Sequence, residues 1–175
     1  MTKCFKFVSC LFIVLSGCAT LQVPKSDIEL TKIEHLQMGS TTSSELTKSF
    51  GKPDRVIPLS ASDEMWVYLD RQEKNPYQRA SFVIESKTHI ILTAAWIPGS
   101  NDALRESDAA LDHFNGKNSF EVRPLPLIAK HEISNELIYF NPKNGVSLRV
   151  NEAAHSTSVI GFELASATPP LAKHN

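Results

Sequence analysis

Short runs of apolar residues, each broken by glycine, proline or a polar turn, set the rhythm of this chain. Ile28, Leu30, Ile33 and Leu36 recur at helical spacing and predict a short helix over 27–37 that ends at Gly39. Thr42-Ser43-Ser44-Glu45 then fits a capping box, in which the Thr42 hydroxyl and the Glu45 carboxylate each satisfy a free amide of the first turn. Leu46 and Phe50 fall on one face of the helix that follows, and Lys48 points away from it. Gly51 stops that helix and Pro53 keeps it from resuming. At about two turns it needs packing to hold it, because so short a helix is unstable alone. Met65 to Leu69 is a strand of β-favouring residues closed by Asp70, and Asn75-Pro76 marks a turn. Ala80 to Glu85 and His89 to Trp96 read as two further strands joined by the polar Ser86-Lys87-Thr88. Pro98-Gly99-Ser100-Asn101 closes the unit.

The pattern then returns. Asp102 to His113 is helix-like, with Leu111 and Phe114 as its apolar face. Phe114-Asn115-Gly116-Lys117 echoes Phe50-Gly51-Lys52, and Arg123-Pro124-Leu125 echoes Ile57-Pro58-Leu59. Glu136 to Asn141 echoes Glu64 to Asp70, and Asn144-Gly145 predicts a hairpin into Val146 to Val150. Ser158 to Leu164 is the last expected strand. Two arrangements account for this: an internal duplication that tolerates insertions, or one unit followed by strands that extend its sheet. The expected fold class is α+β, short helices packed on an antiparallel β-sheet. Its unit is helix-helix-strand-strand-strand over 31–99, with a second helix-and-strands unit over 100–166. Thr168-Pro169-Pro170 opens a tail, 167–175, with no apolar period, expected to be flexible.

The first residues belong to no fold. Lys3 and Lys6 precede the apolar stretch Phe7 to Leu15, far short of the roughly 20 residues a spanning helix needs. Leu15-Ser16-Gly17-Cys18 resembles the bacterial lipobox. That resemblance implies a signal peptide over 1–17 cleaved between Gly17 and Cys18, diacylglycerol on the Cys18 sulfur and a third acyl chain on its amino group. Residues 18–30 would then be a lipidated tether. The thiolate is the side-chain nucleophile able to take the lipid as a thioether. More than one acyl chain makes such anchoring stable, at about 0.8 kcal/mol per buried CH₂. The competing reading is an ordinary secretory signal with an incidental cysteine. Ala19 replaces the aspartate that retains enterobacterial lipoproteins in the inner membrane, which favours the outer membrane, periplasmic face.

Composition narrows the chemistry. Of the three cysteines, Cys4 and Cys10 leave with the signal, so the mature chain has Cys18 alone. It can have no intramolecular disulfide, thiol catalysis or cysteine-held metal. Loss of Lys3 and Lys6 leaves 16 basic and 19 acidic residues, a mature net charge of −3, with no basic face for nucleic acid. In 175 residues that are 42% hydrophobic there is material for one ordinary core or two very small ones.

Gly39, Thr41-Thr42, Leu46, Phe50-Gly51-Lys52-Pro53 and Trp66-Val67-Tyr68, together with the lipobox, resemble the SmpA/OmlA (BamE-like) family of outer-membrane lipoproteins. The resemblance covers roughly residues 33–96. It implies a helical pair on an antiparallel sheet, and where the unit occurs twice it looks like the β-lactamase-inhibitor-protein fold. It also implies an outer-membrane lipoprotein facing the periplasm, a non-catalytic protein-interaction component in envelope or β-barrel assembly. The alternative is an inhibitor or ligand-binding module of the duplicated fold. Val23 to Glu29 lacks the Gln-Gly-Asn element of the family. On physical grounds, the Phe-Gly-x-Pro corner lays Leu46 and Phe50 against the sheet, where Trp66 and Tyr68 share one strand face. These are core residues more than a binding surface.

Enzyme chemistry is weakly signalled. His35, His89, His113, His131, His155 and His174 show no metal-binding spacing, and no Gly-x-Ser-x-Gly elbow or phosphate loop exists. Asp63-Glu64 and Glu106/Asp108 read as solvated faces. His131-Glu132, if on a strand, would point to opposite sides. A hydrolase would require His89 or His131 in a pocket beside a carboxylate. The expectation is therefore no enzyme, no metal, no cofactor beyond the lipid on Cys18, a membrane held by that lipid, and an envelope protein as partner.

Overall fold

The computed structural model describes residues 28–70, 78–124 and 136–165, so the lipobox residues Gly17 and Cys18 lie outside the described residues. Helices α1 (Leu30–Glu34) and α2 (Ser43–Phe50) precede strands β1 (Arg55–Pro58), β2 (Asp63–Leu69), β3 (Gln78–Glu85) and β4 (Ile91–Trp96). Helix α3 (Ser107–His113) precedes β5 (Glu121–Pro124), β6 (Glu136–Asn141), β7 (Val146–Asn151) and β8 (Ser156–Phe162). All eight strands form one antiparallel sheet in the order β1-β2-β3-β4-β8-β7-β6-β5. This corrects the expected α+β arrangement of helix-helix-strand-strand-strand units. The molecule is dominated by a single sheet with a few short helices. Two strand meanders merge where β4 pairs with β8 through Ala94↔Phe162, Ala95↔Gly161 and Trp96↔Ile160.

Local physics accounts for the differences. β1 and β5 are four-residue edge strands, each ending in proline, which lacks the amide an inner strand would need. Helix α1 is shorter than expected because a turn competes with it: Gln37 N–H donates to Thr41 Oγ1 at 2.8 Å and Thr41 N–H to Gln37 O at 2.8 Å. The stretch 102–113 splits into a 3₁₀ turn, Ala103–Arg105, an extended Glu106 and α3, because Glu106 bridges to Ser156 on the sheet. His89 lies before β4 in a turn with φ 58°.

The two longer helices are fixed to the sheet by one device. Ser43 N–H donates to His89 O at 2.8 Å, and Ser107 N–H donates to His155 O at 3.1 Å. Both histidines have positive φ, 58° and 46°, so each turn aims its carbonyl at a helix start. In α2 the capping box forms: Thr42 N–H donates to Glu45 Oε2 at 2.8 Å and Glu45 N–H to Thr42 Oγ1 at 3.4 Å. Gly51, at φ 77° and ψ −165°, ends the helix in a conformation essentially reserved for glycine.

One hydrophobic cluster runs from Leu30 through both meanders to Phe162. Phe50, Tyr68 and Phe82 meet with ring centroids 5.6–5.9 Å apart, and Tyr68 Oη donates to Gly51 O at 3.1 Å. Trp96 donates to Ile28 O at 3.4 Å, and the Arg79 guanidinium lies 4.2 Å from its ring while bound to Asp102 at 2.6 Å. The sheet thereby holds the end of α2 at Gly51 and the chain ahead of α1 at Ile28.

Candidate functional site

The residues singled out by motif build this core. Leu46, Phe50 and Tyr68 are buried, Trp66 packs against them while donating to Glu64 at 2.7 Å, and Pro53 sits in the link from α2 to β1. Tyr68, Trp96 and Tyr139 are at most 3% exposed, so none of these rings offers a partner an anchor. His89 and His155 lie in turns, His35 caps α1, and His131 and His174 lie outside the described residues. A hydrolase would have required His89 or His131 in a pocket; His89 does not line the groove described below, and His131 lies outside the described residues.

A groove of about 590 Å³ opens elsewhere, where distant parts of the chain converge. The end of α1 and the turn after it bring Glu34, Leu36, Gln37 and Met38. The last turn of α3 brings His113 and Phe114. The β6–β7 turn and β7 bring Asn144 and Val146, and the end of β8 brings Phe162 with Glu163, Leu164 and Ala165. Phe114 and Phe162 form the floor, their rings 6.1 Å apart and steeply tilted.

Two close approaches shape its wall. Glu163 N–H donates to Gly145 O at 2.9 Å, and Gly145 has φ 70°. A Cβ there would meet Glu163 O at 2.1 Å, so the strand end passes the turn only because the residue is glycine. Across the groove, a Cβ on Gly39 would stand 2.6 Å from the Leu164 side chain. Leu164 thus lies over Gly39, yet remains 56% exposed.

A short contact between side chains joins α1 to α3. His113 Nε2 lies 2.6 Å from Glu34 Oε1, between residues 79 apart in the chain. The carboxylate accepts this bond from the ring nitrogen. Glu163 is a second carboxylate of the lining, which among the described residues contains no lysine or arginine. Among the described residues the lining also holds no serine, threonine, cysteine or tyrosine that His113 could activate. Among the described residues, no group of three or more His, Cys, Asp or Glu side chains could hold a metal.

Sequence reading missed this site because Glu34 and His113 share no spacing, and neither belongs to a motif. The helical period shows which side of each helix is apolar, but not that the two helix ends meet.

No family model matches the chain, and no curated protein matches it. Among solved structures, it is similar to an extracellular protein containing an SCP domain from Bacillus anthracis, with a TM-score of 0.48 and 14% identity over 83% of this chain and 49% of that one. It is also similar to a cysteine-rich secretory protein from Staphylococcus aureus, with a TM-score of 0.38 and 13% identity over 69% of this chain and 42% of that one. The chain thus spans about half the length, or less, of these proteins. The SmpA/OmlA (BamE-like) resemblance is corrected: no family model, of that family or any other, matches the chain. The role in envelope or β-barrel assembly and the inhibitor-like alternative rested on that resemblance and fall with it. Physically, a capped two-turn helix, a glycine corner and an aromatic strand form a general way to pack a helix on a sheet, and they carry no family mark alone.

Proposed function

We propose that this chain is an exported, lipid-anchored recognition domain that works without catalysis. Cys18 carries the lipid, and Ala19 after it directs the anchor to the outer membrane, with the domain on its periplasmic face. The groove between α1, α3 and the end of β8 receives a segment of an envelope protein. The observation that carries this reading is the groove itself: Phe114 and Phe162 at its floor, an exposed leucine on its lip, and, among the described residues of its rim, no nucleophile beside His113. Concave, mostly apolar surfaces with a few placed polar groups are where proteins take ligands.

Two measurements test the two halves of the proposal. Cys18→Ser should move the protein from the membrane fraction to the soluble one; unchanged membrane association would reject the anchor. A photo-crosslinking residue at Leu164 should give a discrete adduct with an envelope protein, while one at Lys87, in the β3–β4 turn, should not. Equal adducts from both positions, or none from Leu164, would reject the groove.

A further inference from the structure

We infer that the β1 edge of the sheet seats on the membrane surface, with Val56, Ile57 and Leu59 entering the boundary between lipid headgroups and acyl chains. This rests on reading Cys18 as the lipid anchor and specifies how the anchored domain stands. Of the five large apolar side chains exposed among the described residues, three fall within four successive positions: Val56 at 50%, Ile57 at 39% and Leu59 at 52%. Val56 pairs with Trp66 and Ile57 with Met65, so partly exposed apolar groups continue the edge on both faces of the sheet. Trp66, whose indole N–H donates to Glu64 at 2.7 Å, has the apolar body and polar tip suited to that boundary.

The backbone of this edge suits another strand poorly. Leu59 N–H donates to Asp63 O, and Ile57 and Arg55 pair with Met65 and Val67 in the same phase. Alternation along an antiparallel ladder therefore turns the backbone groups of Val56 and Pro58 outward. Proline has no N–H, which leaves Val56 as the outward donor of β1. A lipid surface needs apolar area and no hydrogen-bonded register. Charge does not drive the contact, because the exposed cations Lys52 and Arg55 ahead of the run are matched by Asp63 and Glu64 on β2.

Chain geometry brings the membrane within reach. The ten steps from Cys18 to Ile28 span at most about 33–36 Å. The Ile28 carbonyl accepts from Trp96, whose cross-strand row runs through Ala80 to Tyr68, next to the Arg55–Val67 pair. The β1 edge lies three strand spacings from β4, about 15 Å, well inside that reach. Phe162 of the groove shares a row with Ala94, Phe82, Trp66 and Val56, so a seated edge holds the groove four spacings, about 19 Å, from the lipid.

The test uses the full lipoprotein in vesicles of phosphatidylethanolamine and phosphatidylglycerol that carry a lipid spin-labelled just below its headgroup. Acylation of Cys18 leaves an introduced cysteine as the one thiol of the mature chain. A fluorophore is placed through Leu59→Cys or, on the opposite edge strand, through Val122→Cys. The spin label should quench the fluorophore at 59 and leave the one at 122 bright. Adding Ile57→Ser to the first chain should lower the ratio of quenched to unquenched protein by about three- to tenfold, as expected for a half-exposed aliphatic side chain. High salt should leave the quenching in place. All three side chains are exposed, so folding should survive, which near-ultraviolet circular dichroism would verify.

Equal quenching at 59 and 122 would overturn the inference, since the domain would then have no preferred seat. Quenching that high salt abolishes would assign the contact to charge and overturn it too. An unquenched label at 59, while Cys18→Ser still moves the protein to the soluble fraction, would overturn the seat and leave the anchor standing. If Cys18→Ser stays in the membrane fraction, the anchor reading fails; quenching at 59 in that variant would support the seat alone, and its absence would sink both. Dimers of the Cys18→Ser chain that Ile57→Ser dissolves, with no quenching at 59, would assign the edge to a second copy and overturn the inference.

Discussion

At the scale of single residues, hydrogen bonds between side chains far apart in the chain fix positions that periodicity leaves open. Tyr139 Oη donates to Glu152 Oε1 at 2.6 Å, tying β6 to the turn after β7. This bond, with burial and nearby acidic charge, pushes the Tyr139 phenol up to about 12. A pKa raised above its unfolded value stabilises the fold fully below about pH 10, and that stability is lost as pH rises toward the folded value. Tyr139→Phe should therefore cost about 1 kcal/mol at neutral pH, a hydrogen bond to a charged group discounted for solvent screening. The gap from wild type should close between pH 10 and 12 in urea titrations; a gap constant across that window would contradict the assignment. Little of this was legible, since a tyrosine within a β-favouring run gives no sign of its partner.

At the scale of elements, α2 was the most legible part of the chain. Its capping box, its apolar face and its glycine stop all follow from local chemistry, and each has a measurable consequence. Removing the Thr42 hydroxyl with Thr42→Ala should cost about 0.5–2 kcal/mol. Gly51→Ala should cost about 1–3 kcal/mol, because φ 77° with ψ −165° strains any side-chain-bearing residue. Chemical denaturation of each variant checks both, and a Gly51→Ala protein as stable as wild type would show that this corner relaxes freely. The amide of Thr42 holds the Glu45 carboxyl below its ordinary range. Its contribution is present above the unfolded carboxylate pKa and lost as pH falls through the lowered value, so Glu45→Gln and wild type should converge in acid. The edge strands β1 and β5 were far less legible. Four residues ending in proline give little β signal, and only the free side of a sheet edge makes such a strand workable.

At the scale of the whole molecule, the decisive contacts are the ones no local pattern encodes. The β4–β8 join uses three residue pairs from strands separated by more than half of the second meander. Small residues make the crossing possible: Ser81, Ala95, Gly161 and Ser147 align across four adjacent strands, and a Cβ on Gly161 would stand 2.4 Å from Ser147 Oγ. Because one apolar cluster spans this join, the chain should unfold as one unit. Far- and near-ultraviolet circular dichroism should give coincident transitions in urea; two separated transitions would mean that the meanders hold their structure independently. The groove arises at the same scale. Its walls come from α1, α3 and the β8 end, so its shape depends on the assembled sheet. The motif residues Gly39 to Tyr68 could identify the packing of one helix, but not the cleft where Glu34 and His113, 79 residues apart in the chain, meet.

The central claim is that recognition happens in this groove, and amide chemical-shift mapping tests it most directly. Isotope-labelled protein would be titrated with the envelope protein that crosslinks at Leu164. The expected result is a saturable set of shifts confined to Leu36, Met38, Phe114, Val146, Phe162 and Leu164 and their neighbours. Shifts centred instead on the opposite sheet face, at Met65, Val83 and Ile138, or no saturable shifts at all, would contradict it.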